Sequence, residues 1–133
     1  MTIASGIDIV EIEKIRRLIE KRGVKFLAKV FTGDEQDYCN RQVDKYQHFA
    51  ARFAAKEAVM KALGSGWTGG VQWRHIEIRN NEKGAPSIIL HKKALTLFTG
   101  SGFTQASVSL SHCRAYAVAS VTFIGQLPGP ANG

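Results

Sequence analysis

The chain has 133 residues, 44% of them hydrophobic and 22% charged, and carries a formal net charge of +7 at pH 7. That length fits one domain with an ordinary core, and the apolar runs are far too short to span a membrane. The basic balance asks for an anionic partner, whether nucleic acid, a phosphorylated small molecule, an acidic protein or a membrane surface; charge alone does not choose.

Ile3 to Val10 reads as a first strand, with Ile7 and Ile9 on one face and Asp8 with Val10 on the other. An acid this early lies inside the apolar stretch, and no basic start or long apolar region of a secretory signal precedes it, so a cytoplasmic protein is expected. A helix from about Glu11 to Arg22 follows, its core stripe Ile12, Ile15, Leu18 and Ile19 and its stop Gly23. Its outer face is basic. Lys14, Arg17 and Lys21 recur at i, i+3 and i+7, and Arg22 and Lys25 extend the patch, as either a solvated face or a docking surface. Val24 to Phe31 is a short amphipathic helical piece, and Thr32-Gly33-Asp34-Glu35 forms a capping box for another short helix.

The main helix runs from about Asp44 or Lys45 to Leu63 and ends in two glycine clusters, Gly64-Ser65-Gly66 and Gly69-Gly70. At about 100° per residue, Phe49, Phe53 and Met60 share one stripe and Ala51, Ala55, Ala58 and Ala62 lie opposite. Both sides look packed, yet Arg52, Lys56, Glu57 and Lys61 sit on the flanks. Charges on a helix buried all round must be paired, bind a metal or border a cleft. Salt bridges and a site both satisfy that demand.

The second half changes period. Val71, Trp73, Ile76 and Ile78 suggest a strand with a slip near Arg74 and His75, and Asn80 to Gly84 turns it into a second strand, Pro86 to Leu90. His91 to Thr99 is a helix offering Ala94, Leu95, Leu97 and Phe98 to the core. Strands from Ala106 to Ser111 and from Tyr116 to Ile124 complete the chain. This order predicts an α+β single domain over residues 1–125, a mostly antiparallel sheet on a long central helix, with a disordered tail at 126–133.

Asp8 in an apolar strand and Glu57 in a buried helix are the carboxylates least explained by solvation. Two such oxygen donors suit Mg²⁺, which is usually held by one or two carboxylates, water and substrate phosphates. Lys56, Lys61 and Arg52 could neutralise those phosphates, and the glycine loop could offer backbone N–H groups. A strand-end cap for Asp8 and a Glu57–Lys61 pair would also account for them singly. The serines of Ser107-Val108-Ser109-Leu110-Ser111-His112 lack a nucleophile elbow, and Cys39 and Cys113 have no CxxC partner, so hydrolase, zinc and redox readings all lack support.

Three motifs coincide: Gly6-Ile7-Asp8-Ile9-Val10, Arg52-Phe53-Ala54-Ala55-Lys56-Glu57-Ala58 through Lys61-Ala62, and Ser109-Leu110-Ser111-His112. In this order and spacing the chain closely resembles the holo-[acyl-carrier-protein] synthases, the small trimeric class of 4′-phosphopantetheinyl transferases, over residues 3 to about 124. The resemblance implies transfer of the 4′-phosphopantetheine arm of coenzyme A to a serine of apo acyl carrier protein, in support of fatty acid biosynthesis. It also implies Mg²⁺ on Asp8 and Glu57, with Lys61, Arg52 and Lys56 on phosphates and His112 near the adenosine phosphates. Gly64-Ser65-Gly66 would line the coenzyme A cleft, at a subunit boundary of a homotrimer. The basic face of Lys14, Arg17, Lys21 and Arg22 becomes an expected docking surface for the acidic carrier. Some members carry an acid after the histidine, where this chain has Cys113. A small nucleic-acid-binding protein is the alternative class, but Trp67, Trp73 and Phe103 are not interleaved with basic residues and no reader motif appears. Neither nucleic acid nor membrane is therefore expected as a partner, and the pair Asp8 and Glu57 speaks against a purely non-catalytic binder.

Overall fold

In the computed structural model, which describes residues 1–64 and 66–127, the period-two stretch at the start forms strand β1, Thr2–Glu11. Helices α1 (Ile12–Arg22), α2 (Val24–Val30), α3 (Gly33–Asn40) and α4 (Lys45–Leu63) follow, then β2 (Ile76–Asn80), β3 (Pro86–Leu90), α5 (Lys92–Gly100), β4 (Phe103–His112) and β5 (Tyr116–Gly125). The strands make a three-stranded sheet in the order β1-β5-β4 and a separate β2-β3 hairpin, with every pairing antiparallel. This is the expected α+β architecture. No helix among the described residues is long and apolar enough to cross a membrane.

Helix α4 lies across the inner face of the larger sheet. Phe49, Ala50, Ala51, Ala54, Ala55, Ala58, Val59, Met60 and Ala62 are all buried on it, as are Arg52 and Lys56, so the helix has almost no solvent face. Its alanines let β1 come very close. A Cβ built on Gly6 would stand 2.0 Å from the Ala58 carbonyl oxygen, so only glycine fits there. The inner face of β1 is therefore Gly6, Asp8 and Val10, whereas Ile3, Ile7 and Ile9 point outward, each 63% exposed.

The short helix α3 has the expected start: Thr32 Oγ1 accepts from the Glu35 N–H and Glu35 Oε1 accepts from the Thr32 N–H, the reciprocal capping box. Two expectations need correction. The strand expected from Val71 begins only at Ile76, because Trp73–His75 coils into a 3₁₀ turn whose Trp73 carbonyl, together with that of Ile76, accepts from the buried Lys56 ammonium. Leu95, expected in the core, is exposed, and α5 buries Ala94 and Phe98 instead. Of the tail expected to be disordered, residues 128–133 lie outside the described residues.

Candidate active site

Asp8 reaches the inner face through its place on β1, where it pairs in register with Ala119 of β5 beneath α4. Lys61, on the last turn of α4, donates to Asp8 Oδ1 at 3.1 Å and to the Ile7 carbonyl at 2.9 Å. The alternative of a Glu57–Lys61 pair is not what forms: the ammonium goes to the strand instead. Glu57, one turn earlier, is half-buried, and its carboxyl is pushed up from the ordinary range by burial first and then by the negative charge of Asp8, with Lys61 and Lys14 pulling the other way. Two carboxylates thus approach each other in a partly desolvated place, an arrangement that a cation would relieve.

Beside this pair opens a cavity of about 240 Å³, lined by Glu57, Met60, Lys61, Gly64, Gly66 and Trp67 among others. Gly64 ends α4 at φ +80, a left-handed conformation that glycine adopts without strain, and so turns the chain around the cavity mouth. Sequence placed Asp8, Glu57, Lys61, Gly64 and Gly66 in one site, and the fold brings them together; Ser65 lies outside the described residues.

Arg52 and His112 belong to a second cluster. Arg52, 2% exposed, donates from its Nη2 to Asn80 Oδ1 at 2.9 Å and lies 4.2 Å from the Tyr38 ring centroid. Its Nε is buried with no partner among the described residues. It lines a second cavity of about 240 Å³ together with Gln47, His48, Asn80 and His112, and Gln47 Nε2 approaches His112 Nε2 at 2.6 Å. Helical spacing could have added His48, four residues before Arg52, to the sequence-derived candidates; nothing local pointed to Asn80.

The two clusters do not meet within one chain. Asp8 is on β1 and His112 on β4, with β5 between them, a lateral separation of about 10 Å from strand spacing alone. Their cavities share no lining residue.

Lys56 joins neither cluster. Its ammonium is fully buried, 2.8 Å from Glu35 Oε1, and so is closed to substrate phosphates in this structure. Ser107, Ser109 and Ser111 are exposed on the outward face of β4, opposite to the side that His112 takes by alternation, so no serine–histidine couple forms there. On α1 the acids Glu13 and Glu20 both pair with Arg16, while Lys14, Arg17, Lys21 and Arg22 are exposed.

Known proteins resemble this chain in sequence and in fold. The family described as the 4′-phosphopantetheinyl transferase superfamily matches residues 4–121. The holo-[acyl-carrier-protein] synthase of Ruminiclostridium cellulolyticum is 49% identical over 120 residues, 90% of each chain, and that of Koribacter versatilis is 44% identical over 121 residues, 91% of this chain and 97% of the relative. Among solved structures, the Helicobacter pylori holo-[acyl-carrier-protein] synthase in complex with coenzyme A superposes with a TM-score of 0.80 at 33% identity, covering 90% of this chain and 99% of that one. The Neisseria meningitidis enzyme of the same name gives 0.83 at 30% identity, with coverage of 91% and 97%.

Proposed function

The chain belongs to the 4′-phosphopantetheinyl transferase superfamily, and we propose on that premise that it transfers the 4′-phosphopantetheine arm of coenzyme A to a serine of apo acyl carrier protein. The observation that carries this reading is the juxtaposition of Asp8, Glu57 and Lys61, the last two of which line a cavity of about 240 Å³. The serine oxygen attacks the β-phosphorus of the coenzyme A pyrophosphate. The bond from that phosphorus to the bridging oxygen breaks, and adenosine 3′,5′-bisphosphate leaves with the bonding electrons.

Reactions of this kind depend mainly on positioning and charge neutralisation. Asp8 and Glu57 would hold Mg²⁺, which when bound would neutralise the pyrophosphate; two carboxylates with substrate oxygens and water are an ordinary donor set for that ion. Lys61 fixes the Asp8 carboxylate and presents a positive charge to the phosphates. Glu57, half-buried beside Asp8 and Lys61, would take the serine proton, directly or through a water.

Arg52 and His112 carry the adenosine end of coenzyme A. Since they stand apart from Asp8 and Glu57 on the same chain, a complete site is assembled in a homotrimer, where the Arg52 cluster of one subunit faces the Asp8 cluster of the next. The outward isoleucines of β1 offer an apolar surface for such an assembly. The product would serve fatty acid biosynthesis in the cytoplasm.

The test is to incubate the chain with apo acyl carrier protein, coenzyme A and Mg²⁺ and to weigh the carrier. One added phosphopantetheine per carrier is expected; an unchanged carrier mass overturns the proposal. The exposed Lys14, Arg17, Lys21 and Arg22 form the carrier's docking surface, since opposite charges speed encounter and fix orientation. Reversing Arg17 and Lys21 to glutamate is expected to raise KM for the carrier by on the order of tenfold while that for coenzyme A stays close to its original value. Equal changes in both constants would count against docking on α1.

A further inference from the structure

The motif that carries Glu57 also carries Lys56, and the cleft makes no use of that lysine. Its ammonium and the Glu35 carboxylate both have 0% side-chain exposure and stand 2.8 Å apart. Lys56 also donates to the carbonyl of Trp73 at 3.2 Å and to that of Ile76. Glu35 in turn accepts from the backbone N–H of Thr32 and of Ile78, each at 2.9 Å. One buried pair therefore ties together the start of α3, the middle of α4, the 3₁₀ turn and β2.

Buried pairs of this kind give little net stability over well-packed apolar replacements, so stability is a weak reason to keep one. What this pair supplies is direction. Lys56 precedes Glu57, and one helical step of about 100° separates the anchored side of α4 from the side that meets β1. The same ammonium holds Trp73, whose ring stacks on Phe53 at 5.0 Å and meets Trp67 at 4.5 Å. Trp67 lines the cavity with Glu57 and Lys61. Both the carboxylate and the wall it faces are thus referred to one fixed point.

We propose that Lys56 is a positioning residue for the transfer reaction, which holds Glu57 and the Trp73–Trp67 wall in their mutual geometry through Glu35 without touching substrate. The proposal rests on the reading of Asp8 and Glu57 as the catalytic pair. It differs from a phosphate-binding use of Lys56 in what it predicts for the kinetic constants. A lost phosphate contact raises KM for coenzyme A, whereas a displaced carboxylate lowers kcat.

The experiment compares the unmodified chain with Lys56→Met combined with Glu35→Gln, which replaces the charged pair by neutral groups of similar size. The double variant leaves the Trp73 and Ile76 carbonyls and one of the Thr32 and Ile78 N–H groups without their partner, so it is expected to melt lower; assayed where it is folded, it is expected to keep its KM for coenzyme A and carrier and to lose about 10- to 100-fold in kcat. The environment of the two tryptophans, read by fluorescence, should shift as well. A double variant with unaltered kcat, or one whose loss lies only in KM for coenzyme A, overturns the positioning role. Should the double variant not fold, Glu35→Gln alone carries the test on the same criteria; should that also fail to fold, the pair serves the fold and the proposal falls. Absence of transfer by the unmodified chain would overturn the functional reading itself.

Discussion

Replacing Asp8 or Glu57 by alanine is expected to lower transfer by on the order of 10³-fold while the fold survives. The electrostatic argument is direct: in the proposed reaction each carboxylate would be half of the donor pair that holds the cation, and Glu57 would also accept the serine proton. The structural argument is separate. Asp8 makes an ion pair with Lys61, whose side chain is 55% exposed, and such a pair contributes about 1 kcal/mol or less. Glu57 sits where burial and the neighbouring Asp8 disfavour its charge, so its removal relieves repulsion. Initial rates by carrier mass, read beside circular dichroism and melting curves, separate the two effects. A near-normal rate in either variant would show that the assignment of the pair is wrong.

The second large effect concerns a residue with no side chain. Gly6→Ala places a Cβ 2.0 Å from the Ala58 carbonyl oxygen, 2.9 Å from its carbonyl carbon and 3.1 Å from the Ala62 nitrogen. Every one of these atoms is backbone of α4, so no rotamer change can make room. Either β1 lifts away or the helix shifts, at a cost of about 3 kcal/mol or more. The expected fall in melting temperature is roughly 10 °C for a domain of this size. Asp8 is two residues along the same face of β1, so the lifted strand carries it away from Glu57. Transfer should therefore fall further than the loss of folded protein explains. Retention of full activity at a temperature where the variant is folded would disprove the coupling between strand contact and site.

Local signals made much of this molecule legible beforehand. The Thr32 and Glu35 capping box, the glycine stop of α1 and the period-two strands β1 and β5 all depend on neighbours within a few residues, and each lies within about one residue of where the sequence placed it. The alternation in β1 gave two faces, but the larger side chains turned out to point outward, because α4 approaches at a distance that only Gly6 permits. The charges of α4 were correctly seen to need partners. Which charge took which partner was not legible, since Lys56 finds carbonyls 17 and 20 residues away and Arg52 finds Asn80 at 28. Glu35 in particular carried a complete local explanation as a capping residue, which hid its second use as the counter-ion of Lys56. The 3₁₀ turn at Trp73–His75 has a local support, the Gln72 N–H donating to His75 Nδ1 at 3.1 Å, and a distant one, the Lys56 ammonium on the Trp73 carbonyl.

The pairing of β1 with β5 sets Thr2 opposite Gly125 and Asp8 opposite Ala119, so β1 takes as its partner the strand farthest from it along the chain. Without β5, Asp8 has no sheet partner to hold it beneath α4. Contacts so distant along the chain form late and slowly. A chain that stopped before Tyr116 would thus retain Asp8, Glu57, Lys61, Arg52 and His112 and still lack the strand that separates and spaces them. The two clusters are thus spaced by a segment, β5, that contributes no chemistry of its own.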